Sequence, residues 1–276
     1  MKKILFFETN EFTGATRVTR TLAKAAKQEY EVAFAQVGDN VRSEIESAIE
    51  KEQPEILFSS FTSINPDVIE LGKEEYLTVV IRQDYKLDDV EPGARARIIK
   101  TYPQADWIIA QTPELKQELL QNITSIENKK IKVIENTIDE EDILIKASEP
   151  NPFPDNGKFH FLWVGRKDPI KDIPTLQKAF DIVHKEYPKT DLTLISDERN
   201  PYKWMKNAGC IVISSKSEAS PNVLREALYL GVPVVSTDCS TTVRDLLSPD
   251  KISPVQDEKA LSINMIRVLR SSAKRL

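Results

Sequence analysis

Two cationic and two acidic side chains in the second half of the chain could bind a phosphorylated ligand. Arg166 and Lys171 follow Gly165, which ends a predicted strand. Arginine offers a planar fork of donors and lysine a point charge, and both suit a diphosphate at the carboxyl end of a strand. Glu218 and Glu226 stand eight residues apart, and the second could accept hydrogen bonds from a ribose diol. Solvated surface charge is the alternative interpretation for all four.

A predicted helix start lies between the two glutamates. Serine suits the N-cap and proline the first helical position, and the free N–H groups of such a start favour an anion. The residues predicted to take part are Ser220, Pro221, Asn222 and Val223. Glu218 would precede this helix, and Glu226 would lie about one turn inside it.

Short apolar runs alternate with helical patterns along the chain, which predicts parallel sheets covered by helices on both faces. In the first half the predicted strands are Ile4–Phe7, Glu31–Val37, Ile56–Ser60, Leu77–Ile81, Trp107–Gln111 and Ile131–Ile134, with helices at Ala15–Gln28, Val41–Glu52 and Pro113–Gln121. In the second half the predicted strands are Phe159–Val164, Leu192–Ile195, Cys210–Ile213 and Val232–Ser236, with helices at Thr175–Tyr187, Asn222–Leu230 and Glu258–Leu269.

A linker separates the two halves. The segment Lys146–Lys158 contains three prolines and a glycine among polar residues, a composition that blocks helix and sheet. We therefore predict an α/β protein with two Rossmann-like domains, residues 1–148 and 149–276. Ligands of open parallel sheets bind beyond the carboxyl ends of the strands, so two such domains would face each other across a cleft.

Several segments resemble the GT-B glycosyltransferases of family 4. The matching segments are Phe161–Arg166 followed by Lys171, Ser217–Thr237 with its Glu-x7-Glu motif, Val133–Asp139, Thr13–Val18 and Ala105–Ala110. The resemblance implies a retaining hexosyltransferase that uses a nucleotide diphosphate sugar. Arg166 and Lys171 would bind the donor diphosphate, Glu226 the ribose and Glu218 the transferred hexose.

The first domain would contact the acceptor, which the sequence does not identify as a glycan, a lipid or a small molecule. The acceptor-side candidates are Thr13, Gly14, Gln83 and Asp84. Two features depart from the family. Arg82-Gln83-Asp84 stands where a histidine is common, and roughly one strand–helix–strand unit is absent after Ser196, so the chain resembles a shortened member.

No metal or other cofactor is predicted, because the chain contains no Asp-x-Asp motif and the two cations would replace a metal at the diphosphate. The net charge of −5 and the two cysteines argue against nucleic-acid binding and against a disulfide framework. With no membrane span or signal peptide in the pattern, we expect a cytoplasmic protein. The cations Arg95, Arg97 and Lys100 either dock an acidic acceptor or the inner face of a membrane, or form a solvated helix face.

Two alternatives stay open at this point. The same architecture serves nucleotide-sugar epimerases and phosphorylases, which need no transfer to a second sugar or lipid. A shortened relative could also be an inactive chain that acts as a partner subunit.

Overall fold

The computed structural model describes residues 1–10, 13–83, 86–196 and 198–273. They form two compact units of similar size. The first is Met1–Thr137, and the second begins at Ile138.

A six-stranded parallel sheet forms the centre of the first unit, in the order β2-β1-β3-β4-β5-β6. Its strands are β1 (Lys3–Thr9), β2 (Glu31–Val37), β3 (Ile56–Ser59), β4 (Thr78–Gln83), β5 (Trp107–Ala110) and β6 (Ile131–Val133). The helices between them are α1 (Gly14–Ala26), α2 (Val41–Glu52), α3 (Asn65–Glu74), α4 (Pro92–Thr101) and α5 (Pro113–Asn122). Parallel neighbours need such crossovers, because a short turn cannot bring the chain back to the starting edge.

The second unit contains a five-stranded parallel sheet in the order β11-β10-β9-β7-β8. Its strands are β7 (Phe159–Val164), β8 (Thr190–Ile195), β9 (Cys210–Ile213), β10 (Val234–Thr237) and β11 (Ile252–Ser253). Its helices are α6 (Glu140–Ala147), α7 (Ile173–Glu186), α8 (Tyr202–Asn207), α9 (Asn222–Tyr229), α10 (Thr241–Leu246) and α11 (Glu258–Ala273). Every predicted strand is present, with ends within two residues of the prediction.

Opposite faces of this second sheet are covered by different helices. Leu224 and Ala227 of α9 pack in one apolar core, together with Tyr202 of α8. Leu176 and Ala179 of α7 pack in the other core, together with residues of α11. The sheet is therefore buried on both sides, as its continuous apolar strands require.

The division between the units falls before the predicted linker. Helix α6 belongs to the second unit, because Ile143 and Ala147 pack in its core. The Asp139 carboxylate caps the helix by accepting a hydrogen bond from the Asp142 N–H group. Residues 149–158 then run without helix or strand, as their prolines predict. The structural division therefore lies one short helix before the predicted boundary at 148/149.

Candidate active site

Strand β7 ends at Val164 and delivers Gly165 and Arg166 to the carboxyl edge of the second sheet. The Gly165 N–H group donates to the Ile195 carbonyl oxygen (3.0 Å), which extends the pairing with β8 by one residue. A Cβ atom on Gly165 would lie 3.1 Å from the buried Trp163 ring, so this position favours glycine. Arg166 follows with 39% of its side chain exposed.

A capped turn carries Lys171. The Asp168 Oδ1 atom accepts hydrogen bonds from the N–H groups of Ile170 and Lys171 (3.1 and 3.3 Å). Its second carboxylate oxygen lies 3.6 Å from Arg166 Nη2. Asp168 therefore links the two predicted diphosphate-binding cations, and it fits the common pattern of an aspartate before a proline at a helical start.

The chain leaves this turn through a left-handed residue. Asp172 has φ 48° and ψ 51°, a conformation that a non-glycine residue rarely adopts, although aspartate tolerates it better than most. Its side chain accepts a hydrogen bond from Thr175 Oγ1 (2.8 Å). The Lys171 carbonyl oxygen accepts a bond from Ser214 Oγ (2.8 Å). These contacts fix the backbone of Lys171 between β7 and the end of β9.

Lys171 and Glu218 meet directly. Lys171 Nζ lies 2.5 Å from Glu218 Oε1, and about a fifth or less of either side chain is exposed (20% and 16%). Ser215 Oγ donates to the same carboxylate oxygen at 2.7 Å. Further support comes from the backbone, since Glu218 N–H donates to the Cys239 carbonyl oxygen (2.9 Å) and Lys216 N–H to that of Ile170 (2.8 Å). The structure thus brings together two residues that lie 47 positions apart.

The helix start is shifted from the prediction. Helix α9 begins at Asn222, and Pro221 occupies the N-cap with an extended backbone (φ −69°, ψ 112°). The prediction of Ser220 as N-cap and Pro221 as first helical residue is therefore wrong by one residue. Ser220 instead accepts a hydrogen bond from Thr242 Oγ1 (3.3 Å). Val223 packs on the core of the unit.

Glu226 lies one turn inside α9, as predicted, and is almost fully buried at 2% exposure. Its Oε1 atom accepts a hydrogen bond from Tyr202 Oη (3.3 Å) at the start of α8. The alternative of a solvated surface charge is therefore wrong for Glu226. A buried carboxylate without hydrogen-bond donors would be costly, and the Tyr202 hydroxyl supplies one donor here.

The thiol next to this site is not a nucleophile. Burial and, to a smaller extent, the nearby Glu218 carboxylate raise the pKa of Cys239 to about 12. The other cysteine, Cys210, has its pKa raised to about 12 by burial in β9. Reactive cysteines carry thiolate at neutral pH, and these two side chains stay protonated.

The acceptor-side candidates of the first unit have different environments. Thr13 is the N-cap of α1, where its N–H group donates to Thr16 Oγ1 (3.2 Å), and Gly14 is the first helical residue. Gln83 ends β4 and is fully buried, accepting hydrogen bonds from Tyr102 Oη at its side chain and from Gln111 Nε2 at its carbonyl oxygen. Asp84 lies outside the described residues.

Most of the cationic face of α4 is paired with acids. Arg97 binds Asp67 and Glu70 (2.7 and 2.8 Å), and Arg95 binds Asp88 (2.9 Å). These contacts favour an ordinary solvated helix face over a docking patch. Over the described parts of the chain, we find no helix long and apolar enough to cross a membrane.

The segment that carries the Lys171–Glu218 pair matches a known family. Residues 142–271 fit the family model described as "Glycosyl transferases group 1". Over this segment the chain is similar to the glycosyl transferases of group 1. The match includes every donor-side residue predicted from the sequence, from Gly165 to Glu226.

Two curated proteins are similar to about half of this chain. An uncharacterised glycosyltransferase of Methanocaldococcus jannaschii is 31% identical over 180 residues, which cover 54% of this chain and 44% of that protein. The N-acetylgalactosamine-N,N'-diacetylbacillosaminyl-diphospho-undecaprenol 4-alpha-N-acetylgalactosaminyltransferase of Campylobacter jejuni is 32% identical over 177 residues, which cover 54% of this chain and 46% of that protein. The chain therefore matches less than half the length of either relative.

Solved structures extend the similarity to the whole fold. Anabaena HepE, solved in complex with UDP and glucose, superposes with a TM-score of 0.74 at 12% identity, covering 100% of this chain and 91% of that chain. At this identity the likeness concerns the fold alone. It confirms the predicted GT-B class with two parallel-sheet α/β units.

Sequence reasoning missed the residues that support the candidate site. Asp168 and Ser215 hold Lys171 and Glu218, and Tyr202 holds Glu226. The Asp-Pro pair at 168–169 was a readable turn signal. No sequence signal marked Tyr202, because it lies 24 residues from its partner Glu226.

Proposed function

We propose that this protein is a retaining, metal-independent glycosyltransferase that moves a hexose from a nucleotide diphosphate sugar to an acceptor. The observation that carries the proposal is the Lys171–Glu218 pair, at the carboxyl edge of the second sheet and just before α9. The match of residues 142–271 to the family model of glycosyl transferases group 1 supports the same activity.

In this proposal Arg166 and Lys171 bind the donor diphosphate, and Ser220 to Val223 present the start of α9 to it. Fixed cations and helix N–H groups stabilise the negative charge that grows as the nucleoside diphosphate departs from an oxocarbenium-like centre. The same cations would neutralise the charge of the diphosphate, as a bound metal ion does in metal-dependent enzymes. Glu226 accepts hydrogen bonds from the ribose, and Glu218 contacts the transferred hexose.

The acceptor is proposed to bind the first unit near Thr13 and Gly14, at the end of β1. These residues begin α1 and are partly exposed, so they offer a backbone and a hydroxyl to a ligand. Gln83 is a weaker candidate, because its side chain is fully buried and hydrogen-bonded. A glycan, a lipid-linked sugar and a small molecule all remain candidates for the acceptor.

The experiment is a thermal-shift and calorimetry screen of UDP, GDP and ADP, and of their hexose derivatives, with EDTA present throughout. A ligand at 100 times its dissociation constant adds about 2.7 kcal/mol of stability. Arg166→Ala and Lys171→Ala should each weaken the best ligand by about 10- to 100-fold, the value of a hydrogen bond to a charged group. Lys178→Ala removes an exposed cation of α7 and, as a control, should leave the ligand affinity unchanged.

Unchanged affinity in both site variants would remove the basis of the proposal, as would wild-type protein that binds none of the ligands. Incubation with the bound nucleotide sugar alone addresses the epimerase alternative, since only an epimerase converts it without an acceptor. The anomeric configuration of the product, measured by NMR once an acceptor is found, tests the retaining assignment.

A further inference from the structure

Ser215 follows the end of β9 and is 98% shielded from solvent, with 2% exposure. Its hydroxyl donates to Glu218 Oε1 (2.7 Å), and its carbonyl oxygen accepts a hydrogen bond from Thr237 Oγ1 (2.6 Å). Thr237 is the last residue of β10 and is itself fully buried. A chain of two hydrogen bonds therefore connects the rigid end of β10 to the Glu218 carboxylate.

Glu218 Oε1 has two donors of different character in this structure, the Ser215 hydroxyl and the Lys171 ammonium. The ammonium carries a charge that a diphosphate would attract strongly, whereas the hydroxyl is neutral. Once a diphosphate engages Lys171, the hydroxyl is the donor that still fixes the carboxylate. A carboxylate accepts several hydrogen bonds at once, so this bond leaves Glu218 able to bind sugar hydroxyls.

We propose that Ser215 is a positioning residue that orients Glu218 toward the transferred hexose while Lys171 binds the diphosphate. This inference rests on the proposed function, because it uses the hexose contact of Glu218. It predicts that Ser215 affects recognition of the sugar and leaves recognition of the nucleoside diphosphate unchanged. A general role in folding would affect both ligands alike.

The test compares dissociation constants for UDP, GDP and ADP with those for UDP-glucose, GDP-mannose and ADP-glucose, measured by titration calorimetry. Ser215→Ala should weaken the nucleotide sugar by about tenfold, as expected for loss of a hydrogen bond to a charged group. The nucleoside diphosphate should stay within about twofold. Ser215→Thr keeps the hydroxyl and should restore the preference for the sugar-bearing ligand.

The neighbouring serine supplies a matched comparison. Ser214 is equally buried, but its hydroxyl donates to the Lys171 carbonyl oxygen, so Ser214→Ala should weaken both ligands by a similar factor. Ser262→Ala removes another buried hydroxyl, on α11. It should leave the affinity for both ligands unchanged. Thr237→Val removes the hydroxyl behind Ser215 and gives a second variant should Ser215→Ala fold poorly. Thr237→Val should also weaken binding of the nucleotide sugar, but by a smaller factor than Ser215→Ala.

The outcomes separate this inference from the proposed function. Equal weakening of both ligands in Ser215→Ala, or no weakening of either, overturns the role of Ser215 alone. A wild-type protein that binds diphosphates but gains nothing from the sugar also overturns it, while leaving nucleotide binding intact. A wild-type protein that binds none of the six ligands overturns the proposed function as well.

Discussion

Replacing Glu218 by glutamine should strengthen the binding of a bare nucleoside diphosphate. In the free protein the Lys171 ammonium lies 2.5 Å from Glu218 Oε1, so part of its charge is already compensated. A diphosphate that engages Lys171 must compete with this carboxylate. Glutamine keeps the size and the acceptor oxygen for Ser215, but it removes the negative charge from the competition.

The burial of the pair sets the size of the effect. Exposed ion pairs contribute about 0.2–1 kcal/mol, whereas breaking a fully buried pair costs about 3–5 kcal/mol. With 20% and 16% of the two side chains exposed, this pair lies between these limits. We expect a gain of about 1–2 kcal/mol, which corresponds to a dissociation constant about 5- to 30-fold lower.

Titration calorimetry with UDP, GDP and ADP measures this gain, at about 0.15 M salt so that exposed charges are screened. Glu186→Gln is the matched control, since Glu186 pairs with Arg270 on an exposed surface of the same unit. It should leave the affinity unchanged. Transfer of the sugar should fall in Glu218→Gln even as diphosphate binding tightens. Diphosphate binding that is equal or weaker in Glu218→Gln would refute the competition between the two anions.

Three further outcomes test the framework of the site. Asp172→Ala should lower the free energy of unfolding by about 1–2 kcal/mol, because alanine tolerates the left-handed backbone at this position poorly. Asp172→Gly should lower the free energy of unfolding less, and urea unfolding measures both variants. Cys210 and Cys239, whose pKa values burial raises to about 12, should resist a thiol-labelling reagent at pH 8 in the folded protein and react with it in denaturant. Gly209→Ala should destabilise the protein by about 1–3 kcal/mol in the same unfolding assay, since the new Cβ would lie 2.5 Å from the Phe159 ring.

Most of the sheet could be predicted because its strands are continuous apolar runs with polar boundaries. Phe159–Val164 and Cys210–Ile213 match the structure residue for residue. Strand β11 was not predicted, because a strand of two residues is too short to show an alternating pattern. Helix α6 was not predicted for a different reason. Its Leu144 and Ile145 are 54% and 64% exposed, so its apolar residues do not form the stripe that identifies a helix.

The sequence identified the individual residues of the candidate site, but it could not predict which of them contact one another. Residue type and position marked Lys171 and Glu218, yet nothing local connects residues 47 positions apart. Their contact follows from the order of the strands. Strand β8 pairs on one side of β7 and β9 on the other, so the loop after β7 and the loop after β9 lie side by side.

This order of the strands also supports the proposed ligand site at that point of the second unit. The loop after β7 leads to α7 on one face of the sheet, and the loop after β9 leads to α9 on the opposite face. The loops therefore diverge beyond the carboxyl ends of β7 and β9, the position where open α/β sheets bind ligands. In the first unit the same reversal lies at β1, which has β2 on one side and β3 on the other. Thr13 and Gly14 follow β1, whereas Gln83 ends β4. Topology thus favours Thr13 and Gly14 over Gln83 as acceptor contacts, in agreement with the burial of the Gln83 side chain.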